Sequence, residues 1–184
     1  MKNILSSLVI IILFSCNQSY EPVKPIPSER QKVWQEMEYY AFIHFNMNTF
    51  TNMEWGFGDE SPSTFNPSEL DTDQWARIIK ESGMKGIIIT AKHHDGFCMF
   101  DSKYTDYKIT STESPFSTNP KANVTKEIFD AFRAEGLWAG AYFSKPDWNN
   151  KDYWDPKFPP FDRNVNYDPA LYPEKWENFV QFTH

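Results

Sequence analysis

Residues 86–90, Gly86-Ile87-Ile88-Ile89-Thr90, form an apolar run without polar alternation. Successive side chains of a strand point to opposite faces, so a sheet wetted on one side alternates apolar and polar residues. A run apolar on both faces has to be covered on both, as in a parallel sheet flanked by helices. Two shorter apolar stretches, residues 41–45 and 137–143, read as further strands. Helical spacing fills the intervals between them. One helix begins near Asp71 or Thr72, carries Trp75, Ile78 and Ile79, and stops at Gly83; another begins near Asn123, carries Ile128, Phe129 and Phe132, and stops at Gly136. Pro173 suits the first turn of a last helix with Trp176, Phe179 and Val180 on one side. Ser28-Glu29-Arg30-Gln31 has capping-box spacing and precedes a first helix with Val33, Trp34, Met37 and Tyr40.

Three repeats of strand, loop and helix are the rhythm of a parallel α/β fold. No glycine-rich turn follows any of the strands, which argues against a nucleotide-binding domain. Long loops follow them instead: residues 46–71, rich in Asn, Thr, Gly, Ser and Pro, and residues 144–172, rich in Pro and Trp. In a (β/α)8 TIM-type barrel such loops build the site at the C-terminal face. Three strands cannot close a barrel. Residues 34–184 are therefore expected to hold about the first three βα units of a longer catalytic domain.

The first fifteen residues have a different character. Lys2 precedes a run, residues 4–14, that is almost wholly apolar but shorter than the roughly 18–20 residues a membrane span needs. Its length suits a signal-peptide core. Leu13-Phe14-Ser15-Cys16 resembles a bacterial lipobox, with cleavage before Cys16 and acylation of that residue. Several acyl chains suffice for stable membrane attachment. Residues 16–33, with Pro22, Pro25 and Pro27, read as a lipidated tether and the start of the first helix. This pattern predicts an exported bacterial lipoprotein, anchored to a membrane and facing the periplasm or the cell surface. Cys98, the other cysteine, has no partner and is expected to be buried and inert.

Eighteen basic residues against twenty-five acidic ones leave a net charge of −7, which repels a phosphate backbone and excludes nucleic acid as the expected partner. Aromatic residues make up 17% of the chain, more than a small core requires, so some rings are expected on a binding surface. The chemistry-bearing residues cluster at the strand ends. The first strand runs into Phe42-Ile43-His44-Phe45, the second into Thr90-Ala91-Lys92-His93-His94-Asp95-Gly96-Phe97, and the third into Gly140-Ala141-Tyr142-Phe143-Ser144. Glu54-Trp55-Gly56 lies in the loop after the first. Together, in this order and spacing, these four motifs resemble the alpha-L-fucosidases of glycoside hydrolase family 29, over essentially everything from Trp34 onward. Asn46 departs from the family, which has glycine after the first-strand aromatic, and this makes the backbone angle there a point to settle.

The resemblance implies a retaining glycoside hydrolase acting on terminal L-fucose of an oligosaccharide or glycoconjugate. It implies that His44, His93 and His94 bind sugar hydroxyls, that Glu54 and Trp55 seat O4 and neighbouring atoms, and that Tyr142 lies beside the anomeric region. The chemistry is apt: histidine rings offer N–H donors in fixed directions, and an aromatic face can cover the C6 methyl. The family's nucleophile, an aspartate, ends the fourth strand, and the general acid/base comes later. No acid in these residues matches that nucleophile, so the expectation is part of a fucose pocket without a catalytic residue. A chain of this kind is expected to be inactive alone.

Two other readings compete. One is a sugar-binding lipoprotein that keeps the pocket and cleaves nothing. The other is a different barrel glycosidase, or a metal-dependent hydrolase using the paired histidines. Consecutive strand residues face opposite ways, so His93 and His94 share an ion only if the backbone turns there. Neither a His-x-His nor a His-x-x-x-His pair occurs. No metal and no cofactor are expected. Lys92 is expected to pair with a neighbouring acid and Asp95-Gly96 to turn, while Asp147 reads as a solvated acid before Trp148. Tyr153, Trp154, Phe158, Phe161 and Tyr167 read equally as a sugar platform or as packing.

Overall fold

The computed structural model describes residues 23–184. The expected signal peptide, Cys16 and the first part of the tether lie outside the described residues. The chain divides into two units, Met1–Met37 and Glu38–His184. In the first, helix α1 spans Glu29–Met37. The expected box closes it: Ser28 N–H donates to Gln31 Oε1 at 2.7 Å, and Gln31 N–H donates to Ser28 Oγ at 3.4 Å. Glu38 takes a left-handed φ of 48°, so the helix stops short of Tyr40, which the spacing had assigned to it.

The second unit is a three-stranded parallel sheet ordered β1-β2-β3, with β1 at Ala41–Ile43, β2 at Gly86–Lys92 and β3 at Trp138–Phe143. Ala41 pairs with Ile87, and Gly86 with Trp138. The β2–β3 register slips between Thr90 and Lys92, so Lys92 pairs with Phe143. Residues 46–71, expected as loop, contain helix α2 (Met47–Thr51) and a single 3₁₀ turn at Pro62–Thr64. Helices α3 (Thr72–Glu81) and α4 (Val124–Ala134) follow β1 and β2, and α5 (Pro173–Thr183) follows β3. Asp71 and Asn123 cap the first two of these, accepting from Gln74 N at 2.8 Å and Lys126 N at 3.1 Å. Caps of this kind are worth about 1 kcal/mol each.

The central strand carries the core. Ile87 and Ile89 are fully buried in one cluster with Ala76 and Ile79 of α3 and Val124, Ile128 and Phe132 of α4. The same cluster extends through Phe65, Phe97, Met99 and Ile109, which come from the loops after β1 and β2. Each large aliphatic or aromatic side chain removed from water in this way contributes about 1.5–3 kcal/mol. A second cluster, around Cys98, Tyr153, Phe179 and Phe182, packs α5 beside the end of β3. Cys98 is fully buried, and burial pushes its thiol up to about 12. It is inert as a nucleophile at neutral pH.

Candidate functional site

His44 stands one residue beyond β1, and His93 and His94 follow β2 directly. The chain turns there, with Gly96 N–H donating to His93 O at 3.1 Å and Gly96 at φ +94°. That turn brings the paired rings to the same side. They stack at 4.6 Å between centroids and 20° between planes, so the alternation expected of an extended strand does not hold at this point. His44 meets His93 edge-on at 5.6 Å, and Tyr142, on β3, lies 6.0 Å from His93. A cleft of about 380 Å³ opens beside them, lined by His44, Asn46, Asn48, Thr49, Met53, Glu54, Trp55 and His93. Trp55 is 53% exposed and its ring lies 6.2 Å from that of His94. All six residues named from the sequence therefore share one neighbourhood at the C-terminal ends of the strands.

The short helix α2 explains both the cleft wall and the departure at Asn46. Asn46 has φ −159° and ψ −167°, extended backbone open to any residue. Its side chain accepts from Asn48 N at 3.0 Å, its own N–H donates to Thr49 Oγ1 at 3.2 Å, and its Nδ2 donates to Thr90 Oγ1 at 3.4 Å. Asparagine here starts a helix and ties it to β2.

Helix α2 delivers Asn48, a buried residue that sequence reasoning missed. Its Nδ2 donates to Asp95 Oδ2 at 3.1 Å and lies 3.3 Å from His93 Nδ1. An amide nitrogen can only donate, so Nδ1 of His93 accepts and the neutral ring carries its proton on Nε2. Burial first, then the charges of His94, His44 and Lys92, holds the His93 pKa down to about 4, so the ring is neutral at pH 7. The result is a histidine with a fixed Nε2–H donor. Asp95 is fully buried and its Oδ1 accepts from Phe97 N at 2.7 Å, yet burial pushes its pKa up to about 6. The Asn48 Oδ1 is buried without a partner among the described residues.

His94 is held from the β3 side. Its Nδ1 contacts Ser144 Oγ, and its carbonyl accepts from Trp148 N at 2.9 Å. Burial lowers its pKa, with Lys92 adding to the effect. Beneath these residues Lys92 and Asp147 form an ion pair at 3.0 Å with side-chain exposures of 0% and 2%. Asp147 is therefore no solvated acid: it sits under the turn, and its Oδ1 also accepts from Asn149 N and Asn150 N. In the loop after β3, Tyr153 is buried against Phe179 and Phe158 packs on Tyr172, so these rings serve packing, while Phe161 is 68% exposed. Among the described residues no three His, Cys, Asp or Glu side chains are grouped to hold a metal. A sequence signal existed for Asn48: Asn46 three residues before Thr49 is a capping pattern, and a short helix after it turns residue 48 inward.

Parallel strands whose C-terminal ends gather histidines, aromatic rings and a carboxylate around an open cleft have the arrangement of a sector of an α/β barrel. The sequence model of the family described as alpha-L-fucosidase matches residues 14–183. Alpha-L-fucosidase 1 of Arabidopsis thaliana is 42% identical over 132 residues, 72% of this chain and 26% of its own length. A glycoside hydrolase 29 family member from an unknown rumen bacterium superposes with a TM-score of 0.69 at 38% identity, over 88% of this chain and 35% of that one. A mutant Ruminococcus gnavus family 29 fucosidase, solved in complex with fucose, gives 0.68 at 29% identity over 89% of this chain and 33% of that one. The chain belongs to the alpha-L-fucosidase family, glycoside hydrolase family 29, and its three βα units are part of that family's TIM-type barrel. It spans about a quarter of the length of the curated relatives it matches.

Proposed function

We propose that this chain supplies the fucose-binding sector of a retaining alpha-L-fucosidase that removes terminal L-fucose from glycans. The observation that carries the reading is the convergence of His44, Glu54, Trp55 and His93 on one cleft, with the His94 and Tyr142 rings beside it. The Nε2–H of His93 donates to a sugar hydroxyl, with His44 and His94 as further hydroxyl partners. Glu54 accepts from the hydroxyl at O4, and Trp55 covers apolar ring surface. Retention requires a nucleophile and an acid/base about 5–5.5 Å apart. No acid among these 184 residues occupies the family's nucleophile motif, so the catalytic pair is assigned outside them.

The test compares the 184-residue chain with the full-length protein on an aryl α-L-fucoside. Turnover by the full-length protein alone, inhibited by free L-fucose, is expected. Turnover by the 184 residues themselves would overturn the assignment of the catalytic pair. If neither form hydrolyses the substrate while the full-length protein still binds L-fucose, the non-catalytic sugar-binding reading replaces this one. We also propose export and anchoring through Cys16, supported by the apolar run and lipobox of residues 1–16. Cys16→Ser should abolish incorporation of labelled palmitate and release the protein from membranes.

A further inference from the structure

Asp95 is a fully buried carboxyl that does not line the cleft, and both of its oxygens are occupied. Oδ1 accepts from Phe97 N at 2.7 Å and Oδ2 from Asn48 Nδ2 at 3.1 Å. An ionised carboxyl accepts at both oxygens, whereas a protonated one has a donor on one of them. The Phe97 N–H is fixed in the backbone, so a proton taken up by Asp95 belongs on Oδ2, facing Asn48.

The Asn48 amide stands between Asp95 and His93. Its nitrogen donates to Asp95 Oδ2 and lies 3.3 Å from His93 Nδ1, so both of its protons are engaged. Its oxygen is buried without a partner among the described residues. A Cβ on Gly56 would stand 2.8 Å from that oxygen and 2.4 Å from Glu60 Oε1, so two acceptors face the same small space. Glu60 is held there by the N–H groups of Phe57 and Gly58 and by the Tyr107 hydroxyl at 3.1 Å. Turning the amide over would set its nitrogen toward Glu60 and relieve the orphaned oxygen. His93 cannot oppose that turn by itself, because a neutral imidazole presents either a donor or an acceptor at Nδ1. The Asp95 carboxylate can only accept, and so it opposes the turn.

We infer that Asp95 is a positioning residue for fucose binding: its carboxylate holds the Asn48 amide so that His93 presents Nε2–H to the sugar, and a proton on Asp95 turns the amide over and withdraws that donor. The inference rests on the fucosidase reading for its ligand. On protonation, Asp95 Oδ2–H donates to Asn48 Oδ1, which also accepts from His93 Nδ1–H, while Asn48 Nδ2 donates to Glu60. One proton is taken from solvent, and the ring proton moves from Nε2 to Nδ1. A sugar hydroxyl meeting the bare Nε2 must turn its own proton to the ring and can no longer donate it elsewhere. The ionisable groups facing Asp95, besides His93 across the amide, are Glu60 from the loop after β1 and Tyr107 and Cys98 from the loop after β2. None of these three is a cation, and Lys92 beneath the turn is bonded to Asp147.

The experiment is nitrogen NMR of the full-length protein with labelled histidine, the His93 signals being identified by their loss in His93→Ala. Asp95→Asn imposes the protonated arrangement, since its oxygen stays with Phe97 N–H and its nitrogen turns to Asn48. At about pH 7.5 the unaltered protein should carry the His93 proton on Nε2 and Asp95→Asn should carry it on Nδ1. The variant's Kd for L-fucose should rise about tenfold, for one lost hydrogen bond. Its KM on an aryl fucoside should rise alike with kcat nearly unchanged, as loss of binding common to ground and transition states requires. The unaltered protein supplies a second measurement that needs no variant. Burial pushes Asp95 up to about 6 and His93 down to about 4, so near pH 5 the ring proton should move to Nδ1 as the Asp95 carboxyl carbon titrates. A His93 proton that stays on Nε2 in the variant and across this titration would overturn the inference, as would a moved proton with unchanged L-fucose affinity. Absence of both turnover and L-fucose binding in the unaltered protein would instead refute the fucosidase reading, and the tautomer measurement would still decide whether Asp95 sets the ring.

Discussion

Asp147→Ala should be among the most damaging single changes in this part of the barrel. Lys92 Nζ is bonded to Asp147 Oδ2 at 3.0 Å and to Pro146 O at 3.3 Å, and sits 4.6 Å from the Phe143 ring centroid and 5.6 Å from that of Phe182. With the carboxylate gone, a fully buried ammonium keeps one carbonyl and two ring faces. Breaking one side of such a pair costs about 3–5 kcal/mol. The backbone N–H groups of Asn149 and Asn150 lose their acceptor as well, but both residues are only partly buried and water can replace it. At roughly 2–4 °C per kcal/mol for a domain of this size class, the melting temperature of the full-length enzyme should fall by about 6–20 °C. Asp147→Asn keeps an acceptor for the loop and should fall in between. The double variant Lys92→Met with Asp147→Leu removes both charges, so it should lie nearer the unaltered protein than Asp147→Ala does. Thermal and urea melts of the four proteins read this directly. A loss below 1 kcal/mol for Asp147→Ala, with the double variant the least stable of the set, would refute the reasoning.

Three further outcomes are expected. Asp95, with its pKa raised to about 6, holds a proton in the folded chain that the unfolded chain has released, so its contribution to stability falls as pH rises from about 4 to about 6. His93, held down to about 4, acts oppositely, since the unfolded chain takes up the proton first and stability rises from about pH 4 to 6.5. Over that range the two slopes oppose each other. Asp95→Asn should expose the His93 slope in urea melts across that range. Asn48→Asp replaces the donor at His93 Nδ1 by an acceptor, so nitrogen NMR should show the imidazole proton moving from Nε2 to Nδ1, with a fall in kcat/KM. His93→Ala in the full-length enzyme should cost roughly 1–3 kcal/mol of transition-state stabilisation on an aryl fucoside, the loss of a buried hydrogen-bond partner.

The architecture was legible because burial writes itself into spacing. The unbroken Ile87–Ile89 run requires cover on both faces, and α3 and α4 provide part of it. Asp71 and Asn123 mark helix starts through a single side-chain bond each, which is a local event and so visible locally. Helix α2 was legible only through the Asn46–Thr49 capping spacing: with five residues it is too short to show a period, and Asn, Thr and Met mask it among loop-like neighbours. Tyr40 was misplaced because helical spacing continues past Met37 while the backbone at Glu38 does not.

The cleft residues were legible for a different reason, since their positions at strand ends and their family motif both point to them. What supports them was hidden. Asp147 looked solvated because sequence shows charge and not depth, and its partner lies 55 residues away. Asn48 acquires its role only because α2 folds it against the turn after β2, 45 residues on, where it faces His93 and Asp95. The same turn is what stacks His93 on His94, and it depends on Gly96, where an added Cβ would collide with the Asp147 carboxylate. Gly96, Asp147 and Lys92 thus form one mechanical unit beneath the paired histidines. A histidine offers a donor in a fixed direction only if its ring orientation and tautomer are set beforehand, and here the orientation comes from the turn and the tautomer from Asn48. Motif residues alone therefore cannot make this cleft; it takes the buried polar contacts that three separate loops bring to them.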